Sequence, residues 1–121
     1  MRKVDSKFLA VAEAEAARGE FRYKHGVVIA KGKEILTKGF NRNIGIDTKL
    51  SRYGVYYSMH AELDAIRRLP YGFEESCTLY SVRAGGGLAK PCSRCMSVIA
   101  RTSIKRVVFS VGDGRFAEMF L

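Results

Sequence analysis

The chain has 121 residues, of which 47% are apolar and 27% are charged, as is typical of a globular protein. A chain of this length can bury one core, so we expect a single domain over residues 1–121. No apolar run reaches the roughly 18 residues that a transmembrane helix needs, and we expect no membrane partner. The first residues, Met1–Asp5, lack the apolar segment of a secretory signal, so we expect a cytoplasmic location.

The formal net charge of +9 is high for a chain of this size. Such a charge is consistent with a phosphate-bearing partner, from a single nucleotide to a nucleic acid. It is equally consistent with a solvated basic surface that affects only solubility. The lysines and arginines are scattered and form no arginine-rich block, so the charge leaves both interpretations open.

The N-terminal half begins with a predicted helix over residues 5–18, which Gly19 would end. Two β-rich runs follow, residues 25–30 and 34–40, and the glycine-containing turn between them predicts a hairpin. His25, at the start of the first run, is one of only two histidines. We interpret it as an ordinary polar residue at a strand end, with a fourth metal ligand as the alternative.

Residues 41–58 form a long connection without clean periodicity, with positive charge and three tyrosines. This mixture suits stacking on a base and contact with a phosphate, or equally a subunit interface. A helix is predicted over residues 59–69, because Met59, Leu63 and Ile66 share one side of it. Ser58 would be its N-cap, and Pro70 would end it.

The C-terminal half is predicted to hold a third strand over residues 77–82, with Cys77 as a core thiol. The glycine-rich run 84–90 is interpreted as a flexible wall of the active site. A helix is expected to begin at Pro91, and residues 105–111 are predicted to form a fourth strand. After a turn, residues 115–121 would form a short fifth strand or a helical tail. This order predicts one α/β domain with a mixed sheet flanked by helices.

Two short motifs carry the chemistry: His60-Ala61-Glu62, and Pro91-Cys92-Ser93-Arg94-Cys95. Three cysteines, two of them in a C-x-x-C, favour metal binding in a reducing compartment over a disulfide framework, with thioredoxin-like redox chemistry as the rival. One imidazole and two thiolates suit a tetrahedral Zn²⁺ with its fourth position open to water. Each motif begins a predicted helix, so the side chains of His60, Cys92 and Cys95 can meet at one metal site. Glu62 is not needed as a ligand and can handle the protons of that water.

Together, the two motifs resemble the signature of the zinc-dependent cytidine and deoxycytidylate deaminase superfamily. The extension of the first motif, His60-Ala61-Glu62-Leu63-Asp64-Ala65-Ile66, is similar to the deoxycytidylate branch. The resemblance covers nearly the whole chain in element order. It implies the three-layer cytidine-deaminase-like fold, with a mixed sheet of four to five strands, and Zn²⁺ as cofactor.

The same resemblance implies hydrolytic deamination of a cytosine nucleotide or nucleoside to the uracil product, with release of ammonia. It assigns the base to the backbone N–H of Ala61 and the sugar to Asn41, while Phe40 would stack or pack in the core. As a further hypothesis, Arg42 or Arg52 binds a 5′-phosphate. The expected partners are a small-molecule nucleoside or nucleotide and further copies of the chain in a homo-oligomer, a dimer or a tetramer.

Two alternatives stay open at this point. One is a deaminase that acts on bases within RNA or single-stranded DNA. The other is a zinc-stabilised binding domain without catalysis, which would have a closed four-ligand site and no need of Glu62.

The chain departs from free-cytidine deaminases at Asn43, where they have a glutamate. It departs from the polynucleotide branches after Val111, where they continue with a helix and a parallel strand. The base, the sugar and the phosphorylation state therefore stay open.

Overall fold

The computed structural model describes residues 3–20, 23–45, 57–69, 77–102 and 104–121. These ranges contain three helices and seven strands, in the following order along the chain: α1 (Lys3–Ala16), β1 (His25–Lys31), β2 (Glu34–Phe40), β3 (Arg42–Gly45), β4 (Tyr57–Met59), α2 (Ala61–Arg67), β5 (Cys77–Arg83), α3 (Ser93–Ala100), β6 (Ile104–Gly112) and β7 (Arg115–Phe120). None of the helices in the described part of the chain is both long and apolar enough to cross a membrane.

Five of the strands form a mixed sheet in the order β2-β1-β5-β6-β7. Strands β5 and β6 are parallel and are connected through α3, whereas the other neighbouring pairs are antiparallel. Strands β3 and β4 form a separate two-stranded antiparallel sheet. The predicted mixed sheet of four to five strands is thereby confirmed.

The sheet is covered by helices on both faces, which confirms the three-layer α/β architecture. Successive residues of β1 alternate between two apolar clusters: Val27 and Ile29 pack in one, and Val28 and Ala30 in the other. Helix α1 contributes to the second cluster, and helices α2 and α3 contribute to the first. Because both faces are buried, β1 is a continuous apolar run and not an alternating one.

The predicted hairpin is present as β1 and β2, and the chain also turns back after β6. Strands β6 and β7 are joined by Asp113 and Gly114, whose φ values of 53° and 69° are those of a two-residue type I′ turn. Such a turn matches the twist of the strands on either side. The C-terminal residues therefore run back beside β6 as a strand, which decides between the two alternatives predicted for them.

Three predicted boundaries are wrong. The first helix spans Lys3–Ala16 and not 5–18. The second begins at Ala61, because Met59 pairs with Arg42 in the small sheet, and its N-cap is therefore His60 and not Ser58. The third begins at Ser93 with Cys92 as N-cap, so Pro91 lies before the helix. The predicted helix end at Pro70 lies outside the described residues.

Helix α2 lies directly against β2, where Gly39 leaves no room for a side chain. A Cβ atom at Gly39 would collide with the backbone of Ala61 and Ala65. The Asp64 carboxylate also accepts a hydrogen bond of 3.2 Å from the backbone N–H of Phe40. These contacts fix the first turn of α2, and with it the positions of His60 and Glu62, relative to the sheet.

Candidate active site and metal centre

Helices α2 and α3 begin at the candidate site, and each presents its N-cap side chain there. His60 and Cys92 both have extended backbone conformations, and neither side chain makes a capping hydrogen bond to its own helix. Their imidazole and thiol are therefore available to a ligand. Cys95 lies in the first turn of α3 and is fully buried, whereas His60 and Cys92 are exposed.

The side chains of His60, Cys92 and Cys95 converge as the two motifs predict. The His60 Nδ1 atom lies 3.3 Å from Cys95 Sγ and 3.8 Å from Cys92 Sγ, and the three atoms all lie within 4.8 Å of one another. Zinc bond lengths of about 2.3 Å to sulfur and about 2.0 Å to nitrogen place tetrahedral ligands roughly 3.5 Å apart. The trio therefore fits zinc in both chemistry and spacing. Among the residues that the structure describes, no fourth His, Cys, Asp or Glu belongs to the group.

Without a metal, the surroundings of Cys95 disfavour ionisation of its thiol. Burial raises the pKa of the Cys95 thiol, and the nearby carboxylate of Glu62 raises this pKa further. A metal ion held by the three ligands would supply the positive charge that lets this thiol ionise.

Glu62 is the second residue of α2 and is only 2% exposed. Its Oε1 atom lies 3.2 Å from Nδ1 of His25, yet this oxygen makes no well-directed hydrogen bond within the described structure. A buried carboxylate oxygen with spare accepting capacity beside three metal ligands is available to a bound molecule. Glu62 therefore lies close to the candidate metal ligands, as its position in the first motif suggests.

His25 belongs to this site, which the sequence interpretation missed. It lies at the start of β1, with Nδ1 towards Glu62 and Nε2 2.5 Å from Ser81 Oγ. Burial lowers the pKa of His25, and the charge of Glu62 opposes that effect. The alternative of a fourth ligand is not supported, because His25 lies outside the group formed by the other ligands. The one feature of the sequence that could have indicated this role is that His25 is the only histidine besides His60.

A cavity of about 490 Å³ opens beside the candidate metal ligands, within the range typical of small-molecule sites. The residues that line it come from the hairpin, the two helix starts and the loop after β5: Tyr23, His25, Asn41, Met59, His60, Glu62, Arg83, Leu88, Ala89, Lys90 and Cys92. The glycine-rich run 84–90 thus contributes part of the wall, as its position in the sequence suggested.

Of the predicted substrate-binding residues, Asn41 lines the cavity. Its Oδ1 accepts a hydrogen bond of 2.9 Å from the His25 backbone N–H, and its Nδ2 donates one of 2.7 Å to the Tyr23 carbonyl. Both bonds fix the orientation of the amide. Asn41 is half-buried, so one further N–H and one lone pair can face a ligand.

The other three predicted substrate-binding residues do not line the cavity. Ala61 is buried at the first position of α2. Phe40 is buried, with the Arg42 guanidinium 4.0 Å from its ring centroid, and Arg42 Nε lies 3.1 Å from Asp64. Their contacts with substrate stay predictions, and Arg52 lies outside the described residues.

Two cations at the cavity, Arg83 and Lys90, were not singled out from the sequence. Arg83 ends β5 and stacks over the Tyr23 ring at 4.0 Å, and Lys90 is exposed just before the second motif. No carboxylate pairs with either of them in the part of the chain that the structure describes. This wall of the cavity is therefore positively charged.

The fold and the site together are those of a zinc-dependent α/β enzyme, with the buried carboxylate of Glu62 beside the candidate metal ligands. The sequence profile of the cytidine and deoxycytidylate deaminase zinc-binding region matches residues 2–111. The chain belongs to this family and is a hydrolytic deaminase.

Comparison with solved structures shows the same fold. The chain is similar to cytidine deaminase from Burkholderia pseudomallei, with a TM-score of 0.71, 18% identity and coverage of 99% of this chain and 93% of that one. It is similar to dCMP deaminase from the cyanophage S-TIM5 in apo form, with a TM-score of 0.70, 21% identity and coverage of 94% and 88%. The same phage enzyme in complex with dCMP and dUMP gives a TM-score of 0.69, 23% identity and coverage of 90% and 82%. No curated protein matches the sequence.

Proposed function

We propose that this protein hydrolytically deaminates a cytosine nucleotide of the deoxycytidylate type, giving the uracil nucleotide and ammonia. The observation that carries the proposal is the buried carboxylate of Glu62, which has spare accepting capacity beside His60, Cys92 and Cys95 at the wall of the cavity. A zinc-stabilised binding domain would have no use for a carboxylate in that position. The family contains enzymes for nucleosides and nucleotides, and the cavity residues favour the nucleotide.

The proton transfers fall to Glu62. Zinc, when bound by His60, Cys92 and Cys95, supplies a water of lowered pKa at the fourth position. Glu62 takes a proton from the attacking water and delivers it to N3 of the ring as the oxygen adds to C4. It then carries the second water proton to the amino group, which leaves as ammonia when the C4–N4 bond breaks. One water enters and one ammonia leaves, so Glu62 returns to its initial state.

The base and sugar would be oriented by Ala61 and Asn41. Ala61 is the first residue of α2, so its backbone N–H has no acceptor within the helix and can donate to the base. Asn41 lies at the opening of the hairpin with its amide already held on two sides, so it can bind a sugar hydroxyl at little entropic cost.

The 5′-phosphate would bind at Arg83 and Lys90. Both cations line the cavity without a partner carboxylate among the described residues, and a phosphate would supply the missing negative charge. The hypothesis from the sequence named Arg42 or Arg52 for this role, and Arg52 lies outside the described residues. However, the Arg42 guanidinium is already engaged by Asp64 and by the ring of Phe40.

A mass-shift assay tests the substrate directly. Purified zinc-loaded protein is incubated with cytosine, cytidine, deoxycytidine, dCMP, adenosine and short oligonucleotides, and exchange of an amino group for oxygen is followed. We expect turnover of cytosine compounds with the highest kcat/KM for dCMP. Turnover of adenosine alone, or of no cytosine compound, would contradict the proposal.

A pair of variants tests the phosphate subsite. Arg83→Gln or Lys90→Gln should raise KM for dCMP by about tenfold or more, because a hydrogen bond between charged groups is lost. The KM for deoxycytidine should change far less. The control is Lys33→Gln in the exposed β1–β2 turn, which also removes one positive charge but lies outside the cavity. Equal effects on nucleotide and nucleoside would contradict a phosphate contact.

The second candidate function, deamination within RNA or single-stranded DNA, is favoured by the net charge of +9. It requires oligonucleotide binding that weakens steeply with salt. Against it, β7 follows β6 directly through a hairpin and is antiparallel, whereas the polynucleotide branches insert a helix before a parallel strand. The oligonucleotide arm of the mass-shift assay decides between the two. A homo-oligomeric state and a cytoplasmic location also remain proposals, resting on the resemblance and on the sequence signals.

A further inference from the structure

A series of close polar contacts leads from Glu62, the proposed proton-transfer residue, into the sheet. Glu62 Oε1 lies 3.2 Å from His25 Nδ1, His25 Nε2 lies 2.5 Å from Ser81 Oγ, and Ser81 Oγ donates to the Ala89 carbonyl at 2.8 Å. Ser81 is fully buried in β5, directly beside β1. None of these contacts is part of the metal site or is required by the reaction as described above.

The direction of these hydrogen bonds can be worked out from the number of hydrogens. A serine hydroxyl has one hydrogen, and Ser81 donates it to the Ala89 carbonyl. Ser81 can therefore only accept from His25, so the His25 Nε2 atom carries a hydrogen. The imidazole is thereby held in one ring orientation, with Nδ1 facing Glu62.

The edge of the imidazole ring that carries Nδ1 lies against the Glu62 carboxylate, 3.2 Å from Oε1. Glu62 is only 2% exposed, so its carboxyl group has little room to turn away from this contact. Because Ser81 fixes the ring, His25 limits the orientations that the Glu62 carboxyl group can adopt.

The backbone of His25 is fixed as well. Its N–H donates to Asn41 Oδ1 at 2.9 Å, and its carbonyl accepts from the Asn41 backbone N–H at 3.2 Å. The same residue therefore connects the carboxylate of Glu62 to the amide that faces the sugar. A shift of β1 would move both groups together.

We propose that His25, locked by Ser81, is a positioning residue that holds the Glu62 carboxyl in the orientation needed for proton transfer. This inference rests on the proposed function, because it assigns that transfer to Glu62. It differs from two other roles for His25, a metal ligand and a direct contact with the base.

The experiment compares His25→Leu, His25→Asn, His25→Gln and Ser81→Ala with the wild type and with Glu62→Gln. The kcat and KM for dCMP, the zinc content and the thermal midpoint are measured for each protein. Loss of a residue that orients a site group typically costs roughly 10–100-fold. We expect His25→Leu to lower kcat by that factor, with KM within about twofold and zinc unchanged, since the contact orients a group that acts in the transition state. Ser81→Ala should lower kcat by a smaller factor in the same pattern.

The conservative variants give a readout that a merely structural role would not produce. The carboxamide of Asn lies near the position of Nδ1, and that of Gln lies near the position of Nε2. His25→Asn should therefore recover most of the lost kcat, while His25→Gln should not. The comparison of His25→Asn with His25→Gln also tests the positioning role if His25→Leu does not fold.

Several outcomes would overturn the inference. A rise in KM with unchanged kcat would make His25 a substrate contact, and loss of zinc would make it a ligand. Wild-type kinetics for His25→Leu, together with an inactive Glu62→Gln, would refute the positioning role alone. An active Glu62→Gln would instead refute the proposed function from which the inference starts.

Discussion

The buried ion pair between Asp5 and Arg106 gives a quantitative prediction about what holds α1 on the sheet. Arg106 donates from Nη1 and Nη2 to the two carboxylate oxygens of Asp5, both at 2.9 Å. The Tyr80 hydroxyl donates to the same carboxylate at 2.6 Å. Asp5 is 0% exposed, and Arg106 is 9% exposed. The pair therefore links the first helix to the central strands in a setting almost free of water.

Asp5→Asn keeps the shape of the side chain and removes its charge. Breaking a buried pair from one side typically costs about 3–5 kcal/mol, because the remaining charge stays buried without its partner. For a chain of this length, such a loss lowers the thermal midpoint by roughly 10–20 °C. Arg106 keeps its contact with Glu118, 2.7 Å from Nε, so the lower half of the range is the better expectation.

Urea denaturation of zinc-loaded protein measures the free energy of unfolding. Glu118→Gln is the matched control, because it removes one negative charge from the same arginine at a position that is 47% exposed. We expect this control to cost about 1 kcal/mol or less. Equal losses for the two variants would show that burial does not strengthen the Asp5 pair, and the reasoning would be refuted.

Three further predictions concern the site and the helix that supports it. Gly39→Ala should lower the free energy of unfolding by about 1–3 kcal/mol and also lower kcat, because the new methyl group pushes against the backbone of α2. Urea denaturation and steady-state kinetics measure the two effects. An unchanged free energy of unfolding and an unchanged kcat would contradict the close packing. Burial alone would raise the pKa of Asp64, but hydrogen bonds from Arg67 and the Phe40 N–H bring it below its usual 3.8. The stability from Asp64 is thus present above about pH 4 and lost as pH falls through the lowered folded pKa, so the stability gap between wild type and Asp64→Asn should narrow on acidification. Cys95→Ser should reduce bound zinc below one per chain in a metal assay and abolish turnover, because serine is a poor zinc ligand; full zinc content would count against the ligand assignment.

The metal ligands were predictable because their chemistry and local spacing determine their role. His60 opens one helix, Cys92 and Cys95 open another, and a common metal requires that the two helix starts meet. The hairpin of β1 and β2 and the strands β5 and β6 were also predictable, because apolar runs between glycine turns are local signals.

The contact between His25 and Glu62 could not be read from the sequence. It depends on the pairing of β1 with β5, which brings Ser81 next to His25, and on the close packing of α2 against Gly39. The start of α2 was mispredicted for a related reason. Met59 fits a helical pattern, but its pairing with a distant strand draws it into β4.

The cations at the cavity were missed because charge is scattered along this chain. Arg83 precedes the glycine-rich run and Lys90 ends it, and no pattern sets them apart from other basic residues. Only the fold shows that they face the cavity. Arg42 was one of two residues named as a phosphate-binding hypothesis, whereas its guanidinium contacts Asp64.

The most direct test of the central claim compares turnover of dCMP by the wild type and by Glu62→Gln, each with its zinc content measured in the same preparation. We predict that both proteins bind one zinc ion per chain and that the variant loses about 10²–10⁴-fold in kcat, the usual contribution of a general acid and base. A fully zinc-loaded Glu62→Gln that deaminates dCMP at nearly the wild-type rate would contradict the account.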